Sequence, residues 1–156
     1  MRTKDITERQ LETLVLMRFF EDFAKENPDY PTIKAVADGI TMGEIQYTGT
    51  GYEYERFIND SFVLAKKGYI VSDMDEPDEI FDEIPQITEI TQKGLEILAE
   101  LEGETAEAVK AGNKIVLFEN LNINLSLLGG IEFDINTPFR SGALIASIGK
   151  AILKRG

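Results

Sequence analysis

The chain has 156 residues, enough for about one domain, and is 43% hydrophobic and 28% charged, as globular proteins are. It contains neither Cys nor His, which excludes disulfides, thiolate or imidazole metal sites and nucleophilic catalysis of the Ser-His-Asp or Cys-His kind. Its 28 acids against 16 bases leave a net charge of −12, a poor match for a phosphate backbone.

Met1 to Asp5 runs into a polar, periodic segment with no apolar leader, and no stretch is apolar enough to span a bilayer. A cytoplasmic protein without membrane contact is expected. The first helix is signposted by Thr7 as N-cap with Gln10 three residues on, the capping-box spacing, and by Ile6 and Leu11 as a hydrophobic staple. Leu11, Leu14, Val15, Phe19, Phe20 and Phe23 recur at helical spacing and predict a core-facing stripe that Asn27-Pro28 stops. Thr32 caps a short helix over Ile33 to Asp38, closed by Gly39. Thr41 to Gly51 reads as a loop or weak strand. Its Thr48-Gly49-Thr50-Gly51 lacks the Lys-Ser or Lys-Thr of a phosphate loop and the third Gly of a dinucleotide fingerprint, so it reads as a turn and no cofactor is expected.

Tyr52 to Lys67 predicts a third helix, with Tyr54, Phe57, Ile58, Ser61, Phe62 and Ala65 on one side and Arg56, Asn59, Asp60, Val63 and Lys67 on another. Lys66 and Lys67 suit its C-terminal dipole, and Gly68 is the natural residue after the cap. Tyr69 to Ser72 reads as a strand, Asp73 to Gln86 as a polar stretch, and Ile87 to Ile90 as a returning strand. A helix follows from Thr91 to about Val109, with Leu95, Leu98 and Leu101 on one face.

The composition changes near Gly112, the best boundary between residues 1–111 and 112–156. Lys114 to Phe118 is an apolar strand, and Leu121, Ile123, Leu125 and Leu127 alternate with polar residues. A three-residue loop, Leu128-Gly129-Gly130, returns the chain into Ile131, Phe133 and Ile135 and keeps the apolar faces together. Ser141 caps a last helix whose stripe includes Leu144, Ile145, Ile148 and Ile152. Lys150, Lys154 and Arg155 fall in its last turn, where the helix dipole accounts for them without a membrane surface. A hairpin and one helix make a thin layer, expected to pack on the first domain or to pair across a homodimer.

Two phrases carry a resemblance. Leu64-Ala65-Lys66-Lys67-Gly68-Tyr69-Ile70 resembles a recognition helix running into a wing, and Ile90-Thr91-Gln92-Lys93-Gly94-Leu95 resembles the exit from a wing into the next helix. With the order helix, short helix, helix, strand, strand, helix, residues 6–110 resemble a winged-helix domain, similar to the small winged-helix proteins of the YjcQ kind found in bacteria and their phages. The fold expected is α+β, a winged helix-turn-helix followed by the C-terminal hairpin-and-helix layer. The resemblance implies that the third helix enters the major groove, with Arg56, Asn59, Lys66 and Lys67 as groove-facing candidates.

The charge argues otherwise. From Asp73 to Glu107 there are 13 acids and one base, Lys93; the remainder of the chain holds 15 of each sign. The wing alone carries Asp73, Asp75, Glu76, Asp78, Glu79, Asp82 and Glu83 with no base. The third helix adds Glu53, Glu55 and Asp60. Such a wing repels phosphate. It is either a solvated loop or a docking surface for a basic protein, in the strongest form by mimicking DNA. The spacing is not that of an EF-hand, since Pro77 and Asp78 stand where the loop needs a ligand and Gly, and no metal site is expected. Carboxylates suffice by residue type for a two-carboxylate hydrolase, but nothing places two of them across a cleft, and no enzyme is expected. The expectation is a non-catalytic, interacting protein with a basic protein partner; the alternative is a dimeric DNA-binding regulator using helix 52–67.

Overall fold

Residues 5–46, 53–72, 87–110, 115–118, 121–123, 149 and 153 are described by a computed structural model of the chain. They form an α+β arrangement of helices α1 (Glu8–Glu26), α2 (Ile33–Thr41), α3 (Tyr54–Lys66) and α4 (Gln92–Lys110), with strands β1 (Ile70–Ser72) and β2 (Ile87–Ile90) between α3 and α4. A second pair, β3 (Ile115–Phe118) and β4 (Leu121–Ile123), follows α4.

Helix α1 starts where its capping box dictates. Thr7 Oγ1 accepts from the Gln10 amide at 3.1 Å, and Gln10 Oε1 accepts from the Thr7 amide at 3.1 Å. The helix stops at Asn27, whose side-chain amide donates to the Phe23 carbonyl at 2.8 Å. Every position from Leu11 to Met17 is buried, so α1 is enclosed on more than the single stripe its periodicity predicts. It is the centre of the molecule, with α2, α3 and α4 packed around it. Phe20 meets Phe57 of α3 at 5.6 Å between ring centroids, and Phe23 meets Tyr30 edge-on at 6.4 Å. The enclosure also takes in Glu12 and Thr13, polar residues that then require partners.

Helix α2 begins at Thr32, whose Oγ1 accepts from the Ala35 amide at 3.0 Å, as expected. Its end corrects the sequence reading. Gly39 lies inside the helix rather than closing it, because a Cβ there would stand 2.7 Å from Tyr30 Cε1 and 2.9 Å from Ile45 Cδ1. The glycine that ends α2 is Gly43, with φ +77°. The Gly43 amide donates to the Ile40 carbonyl and the Glu44 amide to the Gly39 carbonyl, at 3.1 and 2.9 Å. These are the paired bonds of a Schellman motif. The loop or weak strand expected from Thr41 is a turn over Met42–Gln46, and residues 47–52 lie outside the described ones.

Helix α3 starts at Tyr54, two residues later than Tyr52, and ends as expected. Gly68 has φ +86°, and its amide and that of Tyr69 donate to the Ala65 and Leu64 carbonyls at 3.1 and 2.9 Å. Leu64 and Tyr69, both wholly buried, provide the apolar pair that accompanies this motif. Strands β1 and β2 pair antiparallel, Ile70 opposite Ile90 and Val71 opposite Glu89, with an irregularity before Ser72 and Ile87. Ile70 and Ile90 face inward; Val71 and Glu89 face out.

Helix α4 spans the predicted range but is rolled relative to the prediction. Leu98 and Leu101 are buried, whereas Leu95 is 39% exposed and Ile97 takes its place inside. The cause is Gly94, where a Cβ would lie 2.4 Å from the Tyr69 carbonyl oxygen and 2.6 Å from Ile90 Cγ2. The helix approaches the β1–β2 ribbon along this bare backbone, which carries the next position, Leu95, out to solvent. Strands β3 and β4 pair antiparallel with Ile115 opposite Ile123. The hairpin expected through Leu128-Gly129-Gly130 lies outside the described residues, as do Leu144, Ile145, Ile148 and Ile152. Gly149 and Leu153 are helical and lie against α1 and its core. A Cβ on Gly149 would be 2.7 Å from Phe19 Cβ, and Leu153 belongs to the same core as α1.

Candidate interaction surface

The four groove-facing candidates of α3 do not form one patch. Asn59 and Lys66 are exposed. Arg56 turns onto α1, where its Nη2 donates to Glu12 Oε2 at 2.6 Å and to the Arg9 carbonyl at 2.8 Å. Its Nε stands 3.6 Å from Asp60 Oδ2, the oxygen that accepts from Thr13 Oγ1 at 2.6 Å. The side chains of Arg56 and Glu12 are only 14% and 6% exposed. This network is the partner that the enclosure of α1 demands, and it fixes the roll of α3 on α1. Burial pushes the Asp60 carboxyl above the usual range, against the opposing pull of the Thr13 hydroxyl and the Arg56 guanidinium. The sequence reading placed Asp60 on the polar side of α3; the structure buries it.

Lys67 is drawn in at the other end of α3. Its Nζ donates to the Asp5 carbonyl, and to Gln10 Oε1 at 3.2 Å. Beside it lies the phrase Thr91-Gln92-Lys93-Gly94, and the structure gives three of its four residues a task. The Thr91 hydroxyl donates to the Gly68 carbonyl at 2.6 Å and accepts from the Gly94 amide at 3.2 Å, so it closes one helix and caps the next. Lys93 Nζ donates to the Lys67 carbonyl at 2.7 Å and to Asp5 Oδ2 at 2.9 Å, and stands 4.3 Å from the centroid of the Tyr69 ring. Gly94 permits the close approach already described. The Tyr69 hydroxyl donates to Asp5 Oδ1. These donors hold the Asp5 carboxyl down at about 2, chiefly through Tyr69 and then Lys93, and the bond to Asp5 raises Lys93.

What α3 presents outward is therefore not basic. Its exposed charged positions are Glu55 and Lys66, with Glu53 at its N-cap also exposed. On β2 and α4, Glu89, Glu96 and Glu100 are exposed as well. The acidic run Asp73, Asp75, Glu76, Asp78, Glu79, Asp82 and Glu83 lies outside the described residues, but Ser72 and Ile87, on either side of it, are paired across the ribbon. Among the described residues no cluster of acids is arranged to hold a metal ion, and no helix is long and apolar enough to cross a membrane.

Asp5, Glu12, Tyr69 and Glu102 were not singled out by the sequence reading. Glu102 on α4 is 4% exposed, and no hydrogen bond reaches its Oε1. Burial raises its carboxyl to about 7, with the Arg18 charge pulling the other way. Its signal was present: Glu102 follows the buried Leu98 by four positions, on the same face of the helix.

Comparison of the chain with protein-family models, curated proteins and solved structures finds no match.

Proposed function

We propose that this chain is a non-catalytic winged-helix protein that acts by docking the acidic run Asp73–Glu83 on a basic protein surface, in the manner of a DNA mimic. The order α1-α2-α3-β1-β2-α4, with an antiparallel ribbon between the third and fourth helices, supports the winged-helix reading. The observation that carries the choice of partner is the internal commitment of Arg56 and Lys67. With them withdrawn, α3 offers a duplex Asn59 and Lys66 beside Glu53 and Glu55, too little positive charge for the counterion release on which duplex affinity rests. The run of seven carboxylates from Asp73 to Glu83, which falls in sequence between the two ribbon strands, adds repulsion toward phosphate and attraction toward a cationic surface.

A second reading, a dimeric DNA-binding regulator using helix 52–67, draws support from the exposed Asn59 and Lys66, since Asn pairs with adenine edges and Lys with guanine or phosphate. The two separate in one experiment. The chain is mixed with generic duplex at low salt, and then with a purified basic DNA-binding domain already loaded with that duplex. The interaction reading expects no association with free duplex and release of the duplex from the loaded domain. It also expects that release to disappear when Asp73, Asp75, Asp78 and Asp82 are changed to Asn. Binding of the free duplex that is lost in Asn59→Ala/Lys66→Glu establishes the regulator instead.

A further inference from the structure

Asp5 is where three parts of the chain meet. Its carboxylate is gripped at both oxygens, Oδ1 by the Tyr69 hydroxyl and Oδ2 by Lys93 Nζ, while its backbone carbonyl accepts from Lys67 Nζ. The two donors to the carboxylate have anchors other than Asp5. Tyr69 is wholly buried, its amide donates to the Leu64 carbonyl at 2.9 Å and its carbonyl accepts from the Thr91 amide at 3.0 Å. Lys93 is held independently by the Lys67 carbonyl at 2.7 Å and by the face of the Tyr69 ring. Lys67 spends its donors on neutral acceptors, the Asp5 carbonyl and the Gln10 amide oxygen. The cluster thus holds two ammonium charges, and the Asp5 carboxylate is the anion bonded to it. The site opens to solvent, the side chains of Lys93 and Asp5 being 45% and 47% exposed. Asp5 itself lies outside α1, two residues ahead of its N-cap.

A preorganised pair of donors facing an exposed carboxylate that a short link ties to the start of α1 is the arrangement of a binding site filled by its own chain. We propose that Lys93, Tyr69 and Lys67 form an oxyanion site that Asp5 keeps occupied, and that a phosphate group binds there by displacing the Asp5 carboxylate. Two oxygens of a phosphate offer the phenol and the ammonium the same kind of charge-assisted pairing as the two oxygens of a carboxylate. The second ammonium suits the greater charge of phosphate. The tether sets the strength of the block, because a group held by a short linker competes at an effective concentration in about the millimolar range. Neutralising Asp5 removes that competitor and raises the net charge of the cluster by one, so phosphate affinity rises at least about tenfold. The inference does not rest on the acidic segment and stands whatever that segment docks against.

The test is a titration of the full chain with inorganic phosphate at constant ionic strength, read from the amide resonances of Thr91 and Gly94, for the wild type, Asp5→Asn and Asp5→Asn/Lys93→Met. The expected result is saturable binding to Asp5→Asn at least about tenfold tighter than to the wild type, and loss of that gain in the double variant. Equal affinities for the wild type and Asp5→Asn overturn the proposal. So does a gain that survives Lys93→Met, since it then arises elsewhere. In the wild type, saturating phosphate must move the Asp5 carboxyl carbon resonance; phosphate that binds while this resonance stays fixed also refutes displacement, with no variant required. A parallel titration with a short duplex identifies the source of the phosphate. A gain with inorganic phosphate alone assigns a free anion, and a matching gain with duplex assigns a backbone group.

Discussion

Glu102 makes the energetics of the α4–α1 contact measurable. It is a carboxyl at 4% exposure with an unbonded oxygen, and its titration is raised from 4.5 to about 7 by burial. A raised carboxyl stabilises the fold only while protonated. That contribution is complete below 4.5 and is lost as the pH rises through about 7. At about 1.4 kcal/mol per pH unit, the span corresponds to about 3 kcal/mol, an upper figure that relaxation around the ionised group reduces. The perturbation is Glu102→Gln, which keeps the shape and removes the titration. Urea unfolding of wild type and variant is followed from about pH 5 to about pH 8.5, and the difference in stability is plotted against pH. Any cost of burying the amide is a constant offset, and the charge of the remaining carboxylates cancels in the difference. The variant should gain about 1–3 kcal/mol on the wild type across this range, most of it by about pH 7.5. A difference that stays flat with pH refutes the reasoning, because it means that the carboxylate of Glu102 is as well solvated in the folded chain as in the unfolded one.

Other perturbations test other parts of the fold. Gly94→Ala forces a Cβ against the Tyr69 carbonyl and should cost about 1–3 kcal/mol in denaturant unfolding. Gly43→Ala meets open space and pays only for its positive φ, about 1–2 kcal/mol. Arg56→Met removes the guanidinium that faces the buried Glu12 and Asp60 carboxylates and should destabilise by about 3 kcal/mol, whereas Glu12→Leu/Arg56→Met should recover part of the loss. Leu153→Ala should lower the stability of the whole chain by about 2–4 kcal/mol, because this near-terminal side chain lies in the core around α1. Carboxyl titration by NMR should place Asp5 near 2 in the wild type, and shifts toward ordinary values in Tyr69→Phe and, to a smaller extent, in Lys93→Met check its causes.

The local signals in the sequence were legible wherever one residue type has one physical use. Thr7 with Gln10, Thr32, Asn27 and Gly68 each act at the helix ends assigned to them, because caps depend on neighbours within a few positions. Gly39 was misread because a glycine near a helix end has two uses, and only the location of Tyr30 and Ile45 decides between them. Leu95 was misread for the same kind of reason. Its spacing fits the stripe, but the approach of Gly94 to Tyr69 sets the roll of the helix. Charge was the hardest to read. Arg56 and Lys67 look like free cations along a helix, and their partners Glu12 and Asp5 lie 44 and 62 positions away. Nothing in a helical period announces such pairings. The enclosure of α1, which forces Glu12 inside, becomes visible only once four elements are assembled around it.

The clasp at Asp5 joins residues 88 positions apart. A nascent chain emerging from the ribosome therefore exposes Asp5, and later Lys67 and Tyr69, well before Lys93 has been synthesised. The sequence between these ends includes the whole acidic run, whose charges repel one another. Completion of the clasp is thus a late event that waits for the arrival of α4, because in a product truncated before residue 93 only Tyr69 and Lys67 hold Asp5.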